Sequence, residues 1–227
     1  MSQSPGTDAE RDRGEVRAVS FDLFGTLIDT ATPGDPATAV ADALKAREVS
    51  VPDDWNGRYT TPTASGAQLE ERSLYDHVWA ALGDGDVGPG TDVDRGTVVD
   101  AVDEAFDPAV TTREDAVSVV RRVVQNHRVG ILSNASLPGL AAESLRRSAL
   151  SRESFDAVVT SVACGWRKPH PRAFEAIATA LGVSPRALVH VGDDPATDGG
   201  ARAVGAEQIL LTDVGLEDIP ALLDRQS

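Results

Sequence analysis

The chain has 227 residues, 41% of them hydrophobic and 25% charged, enough for one core of ordinary size plus a smaller inserted domain. A formal net charge of −15 and a pI near 4.6 make nucleic acid and anionic membrane surfaces poor partners, and no apolar run approaches the ~18 residues of a membrane span. Cys164 is the only cysteine, so no internal disulfide forms and a reducing cytoplasm is the expected location. Residues 1–14 are polar with no apolar h-region, and read as a disordered tail rather than a secretory signal. Of the 21 cationic residues only Lys45 and Lys168 are lysines. So acidic and lysine-poor a chain suits a halophile, whose salt-rich cytoplasm shortens the Debye length to roughly 3 Å at 1 M. Lysine being so scarce, Lys168 draws notice.

Val16 to Phe21 is short, apolar and ends at a turn, as a buried strand should. It runs into Asp22, with Gly25-Thr26 behind. Residues 31–108 then alternate loop-like and helical stretches, and read as an all-helical insert. Ala37 to Arg47 is one predicted helix; Gln68 to Leu82 is a second, with Leu74, Val78 and Leu82 one turn apart. A third spans about Asp94 to Phe106, with Val98, Val102 and Ala105 on one face. From there strands and helices alternate. Thr111 and Glu114 have capping-box spacing before a helix carrying Val117, Val120 and Val124. Val129 to Leu132 is a strand ending at Ser133-Asn134. Pro138 opens a helix to about Ala149, and Ala157 to Val162 is a strand. Pro171 opens a helix stopped by Gly182, with Phe174, Ile177 and Leu181 facing inward. Leu188 to Val191 is a strand ending at Gly192-Asp193, and Gln208 to Leu211 is the last.

This alternation predicts an α/β fold, a doubly wound parallel sheet covered on both faces, with residues 15–30 and 109–227 forming the core. In such sheets the working residues lie beyond the carboxyl ends of the strands. Asp22, Ser133 and Asp193 all fall there. Singly, each has a plainer explanation as a cap or turn residue, and Lys168 as a solvated lysine before a helix. Together and in order they form a constellation.

That constellation, Asp22-Leu23-Phe24-Gly25-Thr26-Leu27, Ser133 in ILSNAS, Lys168 in GWRKPHPRAF, and Asp193, Asp194 and Asp198 in GDDPATD, resembles the haloacid dehalogenase-like hydrolase superfamily. The resemblance covers roughly residues 16–30 and 111–213. It implies that the helical insert is a cap over the active site. An Asp carboxylate at a sharp turn can attack phosphorus or carbon and form a covalent intermediate. Ser133 can donate to one phosphoryl oxygen, Lys168 supplies a positive charge, and backbone N–H groups of the loop at Leu23 and Phe24 can bind others. Asn134 beside Ser133 is a further candidate for substrate binding. Asp22 and Asp193 crowd negative charge that a hard cation would relieve, and Mg²⁺ suits such oxygen ligands. The resemblance adds the Phe24 carbonyl as a metal ligand, with Asp198 or Asp194 at the metal or its water.

In the phosphatases of that superfamily the residue two beyond the nucleophile is an Asp, which protonates the leaving alkoxide. Here it is Phe24, which cannot; general acid–base help is typically worth ~10²–10⁴ in rate. A halide leaves without a proton, so the stretch is also similar to the dehalogenase branch. The acidic run GDDPATD weighs towards a metal and a phosphoryl substrate, since a backbone carbonyl binds metal whatever its side chain. The expected function is a Mg²⁺-dependent phosphatase of a small phosphorylated metabolite. A 2-haloacid dehalogenase-like hydrolase and a phosphoryl-binding protein with little turnover are the alternatives. Trp55, Arg58, Tyr59 and Arg72 are the insert residues a dehalogenase would draw on for its substrate carboxylate. His170 shapes the loop after Lys168, while His190 and Cys164 read as packing residues.

Overall fold

The computed structural model describes residues 17–31, 33–61, 69–83 and 93–225; the expected N-terminal tail lies outside them. Five parallel strands make the central sheet in the order β5-β4-β1-β6-β7: β1 (Ala18–Phe21), β4 (Arg128–Ser133), β5 (Ala157–Thr160), β6 (Leu188–Gly192) and β7 (Glu207–Leu210). The chain leaves β1 for one side of the sheet and enters β6 on the other, so the winding reverses between β1 and β6. Asp22 and Asp193 follow those two strands, at the position where open α/β sheets bind ligands.

Along these strands successive side chains enter different cores, the period of two expected of a pleated strand. Val19 and Phe21 of β1, Val129 and Ile131 of β4, and Val189 and Val191 of β6 meet α5 (Ala116–Val123), α6 (Leu140–Arg147) and α9 (Ile219–Leu223). Ala18, Leu132 and Leu188 turn instead to Phe174, Ile177 and Leu181 on or just beyond α8 (Pro171–Ala180). Full burial of an aromatic such as Phe174 stabilises by about 1.5–3 kcal/mol.

The insert holds four described helices: α1 (Pro36–Lys45), α2 (Trp55–Thr60), α3 (Leu74–Leu82) and α4 (Arg95–Ala105). Asp35, Ser73 and Asp94 accept the N-terminal amides of α1, α3 and α4 through their side chains. Val40, Leu44, Val78, Val98 and Val102 build a separate core, joined by Leu137 from the loop after Ser133.

Several local expectations need correction. The helix placed at Gln68, a residue outside those described, starts at Leu74, because Ser73 caps it; before it, Glu70 bridges Trp166 in the loop before Lys168. Thr111 caps nothing. It lies in β3 (Val110–Thr112), paired antiparallel with β2 (Ile28–Thr30), and this small ladder brings the two ends of the insert together. The helix that follows buries Val119, Val120 and Val123, leaving Val124 exposed. Pro138 does not open α6; Gly139, at φ +85, turns the chain first. The strand predicted to reach Val162 stops at Thr160, where α7 (Ser161–Cys164) begins.

Candidate active site

Asp22 is the first residue past β1, its amide donating to the Val191 carbonyl at 2.8 Å. The chain then doubles back, as Leu27 and Ile28 both donate to the Leu23 carbonyl. Gly25 has φ +84, and a Cβ there would lie 2.6 Å from Asp193 Oδ2, so only glycine permits this approach of the two loops. Leu23 is fully buried in the core, which leaves only its backbone for a substrate contact. Phe24 is partly buried, and its apolar ring packs on the same core.

Three acidic side chains converge. Asp22, Asp193 and Asp198 each bring an oxygen within 4.8 Å of the others. Thr26 Oγ1 donates to Asp193 Oδ1 at 2.8 Å and so aims that carboxylate. Asp194 faces away, accepting from the Ala196 amide and the Thr197 hydroxyl as a turn residue. Ser133 Oγ is buried at the end of β4 with no hydrogen-bond partner among the described residues. A buried hydroxyl left unpaired is uncommon, and a ligand oxygen would satisfy it.

Lys168 is almost wholly enclosed. Its Nζ lies 2.9 Å from Asp22 Oδ1 and 2.6 Å from Asp198 Oδ1, so two of its three protons are engaged. Its backbone is gripped by Asn134, whose Oδ1 accepts from the Lys168 amide at 2.8 Å while Nδ2 donates to the Lys168 carbonyl at 3.0 Å. Asn134, expected to bind substrate, is therefore committed to Lys168. His170 accepts the Arg172 amide and stacks on Trp166, shaping the start of α8 as expected.

Asp198 is fully buried and accepts from Lys168 and His190 on Oδ1 and from the Asp194 amide on Oδ2. Gly192 makes room for it: a Cβ there would fall 2.1 Å from the carboxylate. His190, read from sequence as a packing residue, is buried but far from inert. Since Asp198 is an acceptor only, His190 Nε2 carries the proton, and burial keeps the ring neutral by pushing its pKa down. Nδ1 is then an acceptor for the Ser20 hydroxyl at 2.8 Å. Ser20 and His190 sit at the same register on adjacent strands. Burial also pushes Asp22 upward, an effect that Lys168 partly offsets. On Asp198 burial pushes up too, but the His190 hydrogen bond and the Lys168 charge outweigh it and hold the carboxyl well below the usual range.

The insert candidates are placed differently. Trp55 is buried, its Nε1 donating to the Ala37 carbonyl at 2.8 Å. Arg58 pairs with Asp54 at 2.7 Å, and Tyr59 packs between Trp55 and His77. Arg72 is exposed. Cys164 Sγ lies against the Ser161 and Trp166 carbonyls.

A model of the family described as haloacid dehalogenase-like hydrolase matches residues 16–205. Phosphoglycolate phosphatase of Salmonella typhi is 29% identical over 225 residues, 87% of this chain and 81% of that protein. Phosphatase MT3486 of Mycobacterium tuberculosis (strain CDC 1551 / Oshkosh) is 39% identical over 84 residues, only 37% of this chain and 38% of that relative's length. The solved 2-haloacid dehalogenase from Pseudomonas syringae pv. Tomato DC3000 has a TM-score of 0.69 at 21% identity, covering 93% of this chain and 100% of that one. At that identity the likeness is one of fold alone.

Proposed function

The chain belongs to the haloacid dehalogenase-like hydrolases, and from that premise we propose that it is a Mg²⁺-dependent phosphatase of a small phosphorylated metabolite, with residues 31–108 as its cap. One observation carries this reading: Asp22, Asp193 and Asp198 converge within 4.8 Å with Lys168 as the cation that two of them share. With His190 neutral, the cluster is two positive charges short, the charge of one divalent cation. Asp22, Asp193 and the Phe24 carbonyl would hold it, all hard oxygen donors. The ion would neutralise charge on the phosphoryl oxygens. Asp198, also expected to bind metal, already accepts on both oxygens, and in this proposal it fixes Lys168.

In the first step an Asp22 carboxylate oxygen attacks phosphorus and the substrate's bridging oxygen departs with the bonding electrons. Ser133 Oγ–H, without a partner among the described residues, donates to one phosphoryl oxygen, and the third proton of Lys168 serves another. Water then attacks the phosphorus of the aspartyl phosphate, releasing phosphate and restoring Asp22. With Phe24 providing no proton, the first step favours leaving groups that are stable as anions.

A second reading rests on Phe24. If Asp22 attacked the carbon of a 2-haloacid, halide would leave unprotonated and water would hydrolyse the resulting ester. A panel of acetyl phosphate, aryl phosphate, sugar phosphates and 2-chloropropionate, each with Mg²⁺ or with chelator, separates the two. Expected is Mg²⁺-dependent phosphate release, fastest from acyl and aryl phosphates, and abolished in Asp22→Asn and Asp193→Asn. Chloride release that survives chelation overturns the phosphatase and supports dehalogenation. Mg²⁺ binding with no turnover on any phosphate leaves a phosphoryl-binding protein.

A further inference from the structure

A buried acid of the insert reaches the loops that carry Ser133 and Lys168. Leu69 to Glu71 lies antiparallel to the loop that leads into Lys168: the Glu71 amide donates to the Gly165 carbonyl, and the Arg167 amide donates to the Leu69 carbonyl, both at 2.9 Å. The Glu71 side chain, only 6% exposed, turns into this junction. Its Oε2 accepts from Ser161 Oγ at 2.6 Å and from Arg167 Nη1 at 2.7 Å. Ser161 Oγ in turn accepts the Ala135 amide at 2.9 Å, and Arg167 Nη1 also reaches Ser136 Oγ at 3.3 Å. One carboxylate from the insert therefore holds the loop two residues after Ser133 and the residue before Lys168.

We infer that Glu71 is a positioning residue, whose carboxylate joins the loops bearing Ser133 and Lys168 to each other and to the insert. Each hydrogen bond has a charged or fully buried member, the kind that fixes geometry most strongly. Asn134 already couples the Ser133 loop to Lys168 through the Lys168 backbone. Glu71 adds a second coupling on the far side of the same two loops, and makes it depend on the insert being docked. Without the acid, Ser161 loses the acceptor that orients its hydroxyl, and Arg167 loses its ion pair one bond from Lys168. The effect on turnover rests on the phosphatase reading of the site; the effect on the loops does not.

The test compares Glu71→Ala, Glu71→Gln, Glu71→Met and Ser161→Ala with the unaltered protein, by kinetics on acetyl phosphate and by amide hydrogen exchange. In Glu71→Ala the Ala135 and Arg167 amides should exchange faster, while those of β1 and β6 keep their protection. Displacement of reacting groups by ~1 Å typically costs ~10²-fold, so kcat should fall about 10- to 100-fold with KM changed by less than about threefold. Glu71→Gln keeps an oxygen for Ser161 and Arg167 and should restore both exchange and kcat, whereas Glu71→Met keeps the volume without the acceptor and should restore neither; rescue by Met overturns the inference. Wild-type kcat in Glu71→Ala, or wild-type exchange at both amides, overturns the inference. Should Glu71→Ala fail to fold, Ser161→Ala carries the test, and wild-type kcat there overturns it equally. A wild-type protein that cleaves no phosphate refutes the function proposed above, and exchange then decides the role of Glu71 alone.

Discussion

Lys168→Met removes the cation from the acidic cluster while keeping most of the side chain's volume. At an effective dielectric of about 20, unit charges 2.9 Å apart attract by about 6 kcal/mol, and charges within 4.8 Å of each other repel by at least about 3.5 kcal/mol. The two attractions of Lys168, about 12 kcal/mol together, thus work against three carboxylate repulsions of at least about 10 kcal/mol together. Without Lys168 the repulsion stands, until a carboxylate takes up a proton or a cation binds. Losing one partner of such a buried pair should destabilise the metal-free fold by about 3–5 kcal/mol at neutral pH. The pH dependence has a definite sign. Asp198, held below its unfolded value by His190 and Lys168, contributes stability above that value and loses it as pH falls. The substitution removes part of that contribution. It also raises further the Asp22 carboxyl, already above 3.8, and a raised carboxyl loses stability as pH rises through its folded pKa. Both effects leave the deficit largest near pH 7; the raised Asp22 shrinks it towards about pH 4, and the Asp198 share is lost below that. Urea unfolding with chelator at several pH values, repeated with saturating Mg²⁺, is the measurement. A deficit that is independent of pH, or no deficit at pH 7, refutes the charge balance drawn for the site.

Gly192→Ala would set a Cβ 2.1 Å from the Asp198 carboxylate, and such overpacking should cost about 1–3 kcal/mol in urea unfolding. Thr26→Val removes the hydroxyl that aims Asp193, so calorimetric titration should show Mg²⁺ affinity reduced about 10- to 100-fold with the fold unchanged. Trp55→Phe removes the indole donor from the Ala37 carbonyl, which keeps its place in the α1 ladder, and should destabilise by about 0.5–1.5 kcal/mol, with kcat on acetyl phosphate retained.

The sheet was legible because its strands are short apolar runs that end at turns, a signal carried by neighbouring residues. Asp22, Ser133 and Asp193 stand at strand ends, as that pattern predicts. Errors gather where a local signal competed with a distant partner. Thr111 has the spacing of a capping box, but its backbone is taken by Asp29 across the β2–β3 ladder. The stretch before Leu74 is polar enough to continue a helix, yet its amides and carbonyls are engaged by Gly165 and Arg167. Val124 fits a helical period as well as Val123 does, and only the position of the sheet decides between them.

At the site, composition and order reveal which groups are present but not how each is engaged. Asn134 beside Ser133 suggests a substrate contact, and only the fold shows its amide clasping the Lys168 backbone. From sequence His190 reads as a packing residue, as a histidine within an apolar strand ordinarily is. A signal was available: Ser20 and His190 are polar residues in two otherwise apolar strands, and adjacent parallel strands bring them level. A buried polar pair must be satisfied, and the second nitrogen of His190 then has to find an acceptor among the residues after β6. Asp198 is that acceptor, six residues past the end of the strand, with Gly192 leaving it space. The chain from Ser20 through His190 and Asp198 to Lys168 and Asp22 therefore follows from one requirement, that no buried polar atom be left alone. Among the described residues Ser133 Oγ breaks that requirement inside the same cluster, so a polar group from outside the protein would complete it.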